Sequence, residues 1–381
     1  MKRILHVIDT TGPGGAETVF VELADRLRAR GYESLALLRG RGWVWDALAE
    51  RSIRTEILDA KGSFNTRYLR ALRRLIRSER IDLIQSHLLG SNVYCAAAGW
   101  LTRRPVVATF HGSVDIDTAE RFRRLKFGIM DRAVSHFVAV SDSLGQRIRA
   151  QGVARHKPLS IIYNGVDLAR YEQPKHRSLV VELGLPPDAL LVGSLGNIRP
   201  AKAYDVLIRA AAALCPADPR LHFVIAGHVK ENVARPLHAL IEALSLQGRV
   251  HFLGFRADTA NFLASLDVFA LSSSSEGFSI ATIEAQAAGL PVVATCSGGP
   301  EEIITHRENG LLVPTNDPQA LAAALREVLD SPALAAKLAA AGRESVQERF
   351  SMETMLDRYM AIYQTLQPPG TQHQNARQPE S

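Results

Sequence analysis

The strongest constraint on this chain is an alternation. Short, almost wholly apolar runs are each followed by a longer segment of helical period. The first set of runs is RILHVID (3–9), ESLALLR (33–39), IRTEIL (53–58), IDLIQS (81–86), PVVATF (105–110) and HFVAVS (136–141), and LSIIYNGVD (159–167) closes it. Between the first two, AETVFVELADRLRAR (16–30) sets Val19, Leu23 and Leu27 at helical spacing, and Gly31 stops the pattern. A strand with one wet face would alternate polar and apolar residues. Runs that are apolar throughout belong to strands covered on both faces, so the expected element is a parallel, doubly wound α/β sheet.

The pattern breaks once. QPKHRSLVVELGLPPDA (173–189) is polar and rich in proline, which marks a boundary. The plan then restarts with LLVGSLG (190–196), LHFVIAG (221–227), RVHFLG (249–254), LDVFALS (266–272), PVVATC (291–296) and GLLVP (310–314). A length of 381 residues suits two such domains. The expected division is residues 1–166 and 167–350, a last helix over 351–366, and a loose polar tail over 367–381.

Composition narrows the setting. Cys95, Cys215 and Cys296 form no C-x-x-C pair, so neither a disulfide framework nor a structural zinc site is expected, and a reducing compartment is. The apolar run before Asp9 is too short for a signal-peptide core, and no segment offers the ~18–20 apolar residues of a membrane span. The expectation is a cytoplasmic protein that can still lie on the inner face of the membrane. Residues 1–165 hold 27 basic and 16 acidic side chains, whereas residues 166–381 hold 18 and 23. The first domain is therefore basic and suited to polyanions. KGSFNTRYLRALRRLIRSER (61–80) carries Lys61, Arg67, Arg70, Arg73, Arg74, Arg77 and Arg80 beside a stripe of Leu69, Leu72, Leu75 and Ile76, and ERFRRLKFGIM (120–130) mixes cations with Phe122, Phe127 and Ile129. The first stretch reads either as a sheet-covering helix with a solvated outer face or as an attachment to anionic lipid. No aromatic stacking platform or recognition motif points to nucleic acid.

Ligands of open parallel sheets bind beyond the carboxyl ends of the strands, and the unusual residues of this chain fall there. TTGPGGAE (10–17) follows the first run and opens a helix, either as a tight turn or as an anion cradle. The second run ends in LLRGRG without the acidic residue that a dinucleotide ribose needs, which argues against NAD. GNIRPAK (196–202) offers Arg199 and Lys202, either as a pair of solvated charges or as a fork and a point charge suited to a diphosphate. SSSSEGFSIATIEAQAAGLPVVATC (272–296) sets Glu276 in a loop and Glu284 about two turns into a helix expected to start near Phe278 or Ser279. Carboxylates are good acceptors for the hydroxyls of sugars.

In order, GPGGAE (12–17), TFHG (109–112), AVSDSL (139–144), NGVD (164–167), GNIRPAK (196–202) and E-x7-E with AAGLPVVAT (287–295) resemble a family 4 retaining glycosyltransferase. The resemblance covers residues 1 to about 366. It implies the GT-B architecture: two Rossmann-like domains with parallel sheets facing across a cleft, residues 1–166 on the acceptor side and 167–350 binding a nucleotide sugar. It also implies that Gly14 and Gly15 approach donor phosphates or the acceptor, that Arg199 and Lys202 hold the diphosphate, and that Glu276 binds the transferred sugar. Glu284 would bind the ribose, the amides of Phe278, Ser279 and Ile280 would meet sugar or phosphate, and His111 would face the sugar, with 351–366 crossing back to the first domain.

The expected reaction is transfer of a hexose or N-acetylhexosamine with retention, by front-face substitution, to a saccharide or lipid-linked acceptor of polysaccharide or glycolipid synthesis. A UDP-sugar is preferred over a GDP-sugar, as co-substrate with no bound cofactor. The catalytic candidates are His111, Arg199, Lys202 and Glu276. Asp115-Ile-Asp117 copies the D-x-D metal signature of the other major glycosyltransferase fold, but within this architecture it reads as coincidence, and no metal is expected. A sugar-nucleotide hydrolase or epimerase on the same fold is the alternative reading, and a non-catalytic binding module is a third. Two residues depart from the family pattern: Ala203 where glycine is usual, and His228 in place of a second glycine after VIAG.

Overall fold

A computed structural model describes residues 2–59, 65–116, 122–229 and 231–366. Among the described residues thirteen strands form two parallel sheets. The first contains β1 (Lys2–Ile8), β2 (Tyr32–Leu38), β3 (Arg54–Ile57), β4 (Leu83–His87), β5 (Val106–Phe110), β6 (His136–Ala139) and β7 (Leu159–Ile161). The second contains β8 (Leu190–Leu195), β9 (Leu221–Ala226), β10 (Val250–Gly254), β11 (Val268–Leu271), β12 (Val292–Thr295) and β13 (Leu311–Val313). Every apolar run of the sequence is a strand, because a strand apolar on both faces needs helices on both faces, and the intervening segments supply them.

The spatial order is β3-β2-β1-β4-β5-β6-β7 in one sheet and β10-β9-β8-β11-β12-β13 in the other. Both are doubly wound, and in both the order reverses beside the first strand. Switch points therefore lie between β1 and β4 and between β8 and β11. At such a point the connections leave in opposite directions and open a crevice. The loops after β1 and β4 border the first crevice, and those after β8 and β11 border the second.

Local chemistry sets many helix starts. Asn65 accepts the amide of Tyr68, Ser141 that of Leu144, Ser279 that of Thr282, Asp317 that of Ala320 and Ser331 that of Leu334. The basic helix Thr66–Ser78 turns Tyr68, Leu72 and Ile76 into the core while Arg70, Arg74 and Arg77 stay exposed. Its apolar stripe is thus used for packing against the sheet, and only the arginine face is left to solvent. Lys61 lies outside the described residues, as do Glu120, Arg121 and the tail over 367–381.

The last helix, Met352–Leu366, buries Met352, Met355, Leu356, Tyr359, Ile362 and Tyr363 against Ile4, Val19, Leu23, Leu27, Leu83 and Val107 of the first sheet and its first helix. At ~1.5–3 kcal/mol per large apolar side chain, this helix is part of the first lobe's core. The chain crosses between lobes twice, and the crossings run side by side in a bridge between Val166 and Ser351. A Cβ at Gly165 would lie 2.6 Å from the Ser351 carbonyl oxygen, so that approach requires glycine.

Candidate active site

The loop after β8 contains the first cationic candidates. Arg199 precedes a short 3-10 turn, Pro200–Lys202, which ends in Ala203 at φ +45. Arg199 is exposed, and its guanidinium makes no ion pair among the described residues. Lys202 folds back over Gly196, where a Cβ would meet its Cε at 2.8 Å. Its ammonium reaches Glu276 Oε1 at 2.7 Å, and the two side chains are only 20% and 12% exposed. Ser273 Oγ donates to the same carboxylate oxygen at 2.6 Å. The Lys202–Glu276 pair is thus set between the loops of the second switch point, poorly solvated on both sides, where charge interactions are strong.

A left-handed alanine costs roughly 1–2 kcal/mol, which glycine avoids. Ala203 buries its one methyl group, worth about 0.8 kcal/mol. Ala203→Gly is therefore expected to raise stability by up to about 1 kcal/mol, or about 2–4 °C in Tm. Thermal denaturation of the two proteins checks this, and a lower Tm in the variant would contradict it.

Glu284 stands apart from that pair. The helix after β11 runs Ile280–Ala287, so Glu284 is little more than one turn in, and the expected two turns are corrected. Ser279 explains the later start: its hydroxyl accepts the Thr282 amide and so fixes the first turn. Glu284 Oε1 accepts from Tyr171 Oη at 2.7 Å. Burial raises its carboxyl pKa, while the Tyr171 hydrogen bond and nearby Arg170 act in the opposite direction. Phe278 is buried and stacks on Tyr163 with centroids 5.5 Å apart.

The first lobe meets these loops closely. A Cβ at Gly277 would fall 2.5 Å from the His111 carbonyl oxygen and 2.8 Å from Gly112 Cα, so the loop carrying Glu276 lies against the loop after β5. Gly14 is the N-cap of the helix Gly15–Ala29, and a Cβ at Gly15 would touch Ile280 Cδ1 at 3.0 Å. Asn197 Nδ2 donates to the Pro13 carbonyl at 2.9 Å. Glu302 reaches across as well, accepting the amides of Asp142 at 2.6 Å and Ser143 at 2.8 Å. The glycine loop, the His111 loop, the loops of Lys202 and Glu276 and the helix of Glu284 thus meet where the two lobes face each other.

His111 is half-buried, and burial lowers its pKa to about 3, so the ring is neutral at pH 7. Asp115 holds its loop. Oδ2 accepts the amides of His111 at 2.7 Å and Gly112 at 3.3 Å, and Oδ1 accepts that of Leu89 at 3.0 Å. The first half of the D-x-D sequence is thus committed to backbone, and Asp117 lies outside the described residues. Among the described residues no group of three or more His, Cys, Asp or Glu side chains converges on a metal position.

Burial raises the Asp115 pKa from 3.8 to about 6. The native state therefore binds the extra proton between these values, and this group's contribution to stability falls as pH rises through that window. Asp115→Asn cannot titrate and should lack that slope. Subtracting its stability profile from that of the parent, from pH 4 to 6.5, should reveal a fall toward higher pH. A flat difference would refute it.

His87 and Tyr171 also belong to the site, though neither lies in a sequence motif. His87 ends β4, fully buried, with Nδ1 2.8 Å from His111 Nε2. Tyr171 was missed because its partner is 113 residues away. A histidine closing a strand at a switch point was the available signal for His87.

Comparison with known proteins gives a consistent pattern. Residues 13–170 match the family described as Glycosyltransferase Family 4, and residues 177–345 match Glycosyl transferases group 1. The chain is 33% identical to the D-inositol 3-phosphate glycosyltransferase of Saccharomonospora viridis over 305 residues, covering 74% of this chain and 69% of that one. It is 28% identical to the lipopolysaccharide core biosynthesis glycosyltransferase LpsE of Rhizobium meliloti, covering 92% and 95%. Anabaena HepE, crystallised with UDP-glucose, superposes with a TM-score of 0.86 over 96% of this chain and all of the other, at 26% identity.

Proposed function

Since the chain belongs to glycosyltransferase family 4 and has the GT-B fold, we propose that it transfers a hexose or N-acetylhexosamine from a UDP-sugar to a saccharide or lipid-linked acceptor, with retention of configuration. The observation that carries this reading is the Lys202–Glu276 pair where the two lobes face each other. Each member of the pair holds the other in place. A diphosphate draws the Lys202 ammonium onto its oxygens, with exposed Arg199 closing from the rim, and this frees Glu276 to accept sugar hydroxyls. Glu284 takes the ribose hydroxyls, and the amides of Phe278, Ser279 and Ile280 meet phosphate or sugar at the start of their helix. Gly14 and Gly15 admit the donor or acceptor close to backbone. UDP-glucose in HepE and lipopolysaccharide core synthesis by LpsE support the donor and acceptor classes.

Front-face substitution needs no protein nucleophile. The acceptor hydroxyl attacks from the side the diphosphate leaves, and its proton passes to a leaving-group oxygen. The protein orients the reactants and stabilises the developing charge. Neither a resident cofactor nor a metal takes part in this scheme.

A thermal-shift screen of UDP- and GDP-sugars, followed by NMR of the anomeric centre of the product, tests the proposal. At 100 times its Kd a donor stabilises by about 2.7 kcal/mol. Stabilisation by a UDP-sugar and an unchanged anomeric configuration are expected; an inverted product or release of free sugar alone would refute it.

The basic face of the first lobe fits an anionic membrane surface near such an acceptor. A concavity of about 820 Å³ is lined by Arg77, Trp100, Arg103 and Arg104, and Trp100 is 71% exposed. No helix among the described residues is long and apolar enough to cross a membrane, so attachment would be peripheral. Binding to phosphatidylglycerol vesicles that is lost at high salt is expected, and equal binding to neutral vesicles would exclude the charge mechanism.

A further inference from the structure

The first sheet and the last helix share a line of buried polar groups. Tyr363 Oη, on the last helix, donates to Gln85 Oε1 at 2.9 Å. With its carbonyl end taken, Gln85 turns Nε2 toward Thr109 Oγ1 at 2.9 Å and His87 Nε2 at 3.2 Å. Thr109 Oγ1 is in turn 3.2 Å from Tyr359 Oη of the same helix. His87 Nδ1 meets His111 Nε2 at 2.8 Å, with the rings nearly parallel at 23°. Gln85, His87, Thr109 and Tyr363 are all fully buried, and the edge of Phe20 packs on His87 with centroids 5.5 Å apart. His111 Nδ1 is screened from solvent and has no partner among the described residues.

A neutral imidazole has one donor and one acceptor nitrogen, so fixing one atom fixes the chain. We infer that Gln85 and His87 are positioning residues that set the tautomer of His111, so that His111 offers Nδ1–H as a hydrogen-bond donor to an oxygen of the bound nucleotide sugar. The amide of Gln85 is a donor, so His87 Nε2 accepts and His87 carries its proton on Nδ1. That proton is donated to His111 Nε2. The remaining proton of His111 then sits on Nδ1, which has no partner among the described residues. Leaving such a donor buried and unpaired costs free energy, and an incoming sugar or phosphate oxygen removes that cost. Burial keeps both rings neutral, which the relay requires. His111 in this state cannot accept a proton at Nδ1, so it stabilises bound oxygen instead of acting there as a base. The last helix, through Tyr363, supplies the outer end of the line.

The inference rests on the transferase reading only for the identity of the ligand. The test therefore begins with a measurement independent of turnover: the imidazole nitrogen spectrum of protein labelled with 15N-histidine at pH 7.5, assigned with His87→Gln and His111→Gln. Both rings should be Nδ1–H tautomers. Gln85→Leu should leave His111 as a tautomer mixture and lower kcat roughly tenfold to a hundredfold, the loss typical of an outer orienting group, with donor KM little changed. An Nε2–H signal from His111 in the parent protein would overturn the assignment. So would Gln85→Leu with both tautomers unaltered. Full turnover by His111→Gln with the expected spectrum would instead remove the catalytic role and leave the relay standing.

Discussion

Lys202→Ala should lower kcat by about 10²–10³-fold, the loss expected for one contact to charge that develops in the transition state. The reason lies in how the ammonium is held. The ammonium is already held over Gly196 and against Glu276, so little reorganisation remains when the diphosphate arrives. Arg199, exposed and without an ion partner among the described residues, is expected to lose less when truncated. Lys202→Ala also strands Glu276 at 12% exposure with Ser273 as its remaining side-chain partner, so part of any effect is structural. The double variant Lys202→Ala/Glu276→Gln separates the two. It should recover stability in thermal denaturation but not turnover with a UDP-sugar. Turnover near the parent value in Lys202→Ala would exclude the lysine as the phosphate clamp.

The second large effect is expected at a residue with no side chain. Gly277→Ala places a Cβ 2.5 Å from the His111 carbonyl oxygen and 2.8 Å from Gly112 Cα. Both are backbone atoms fixed by Asp115, so neither can rotate away. The loop carrying Glu276 or the lobe as a whole must shift. A displacement near 1 Å in the reacting geometry can cost about 10²-fold in rate. The prediction is a fall of that size in kcat with a modest loss of stability, about 1–3 kcal/mol by the usual cost of overpacking. Steady-state kinetics beside a melting curve would show it. Unchanged kcat would mean that the two loops are not in contact during turnover.

All thirteen strands were legible because each signal is local: a few apolar residues bounded by glycine, proline or a charge. Two sheets followed from the single polar interruption before β8. The site was legible as loops but less so as contacts. Motif order identified the loops holding Lys202 and Glu276, yet their pairing spans 74 residues and depends on how the β8 and β11 connections turn at the switch point. The start of the Glu284 helix is harder to read, because Ser279 fits the first turn as well as the cap and serves here as the cap. The basic helix was ambiguous for a different reason: a stripe of Leu72 and Ile76 has the same spacing whether it faces a sheet or a lipid. Gln85, His87 and Tyr363 have no motif. Their meaning comes only from neighbours brought together by the sheet and by a helix some 278 residues along the chain.

That last helix has a consequence for biosynthesis. Its six large side chains complete a hydrophobic layer on β1 and the first helix, and they are made only after the whole of residues 167–350. Residues 167–350 can therefore collapse on their own while the amino-terminal half, though made first, waits for its missing layer. The amino-terminal lobe is therefore expected to close only after the second lobe has been made, so that the half made first is completed last.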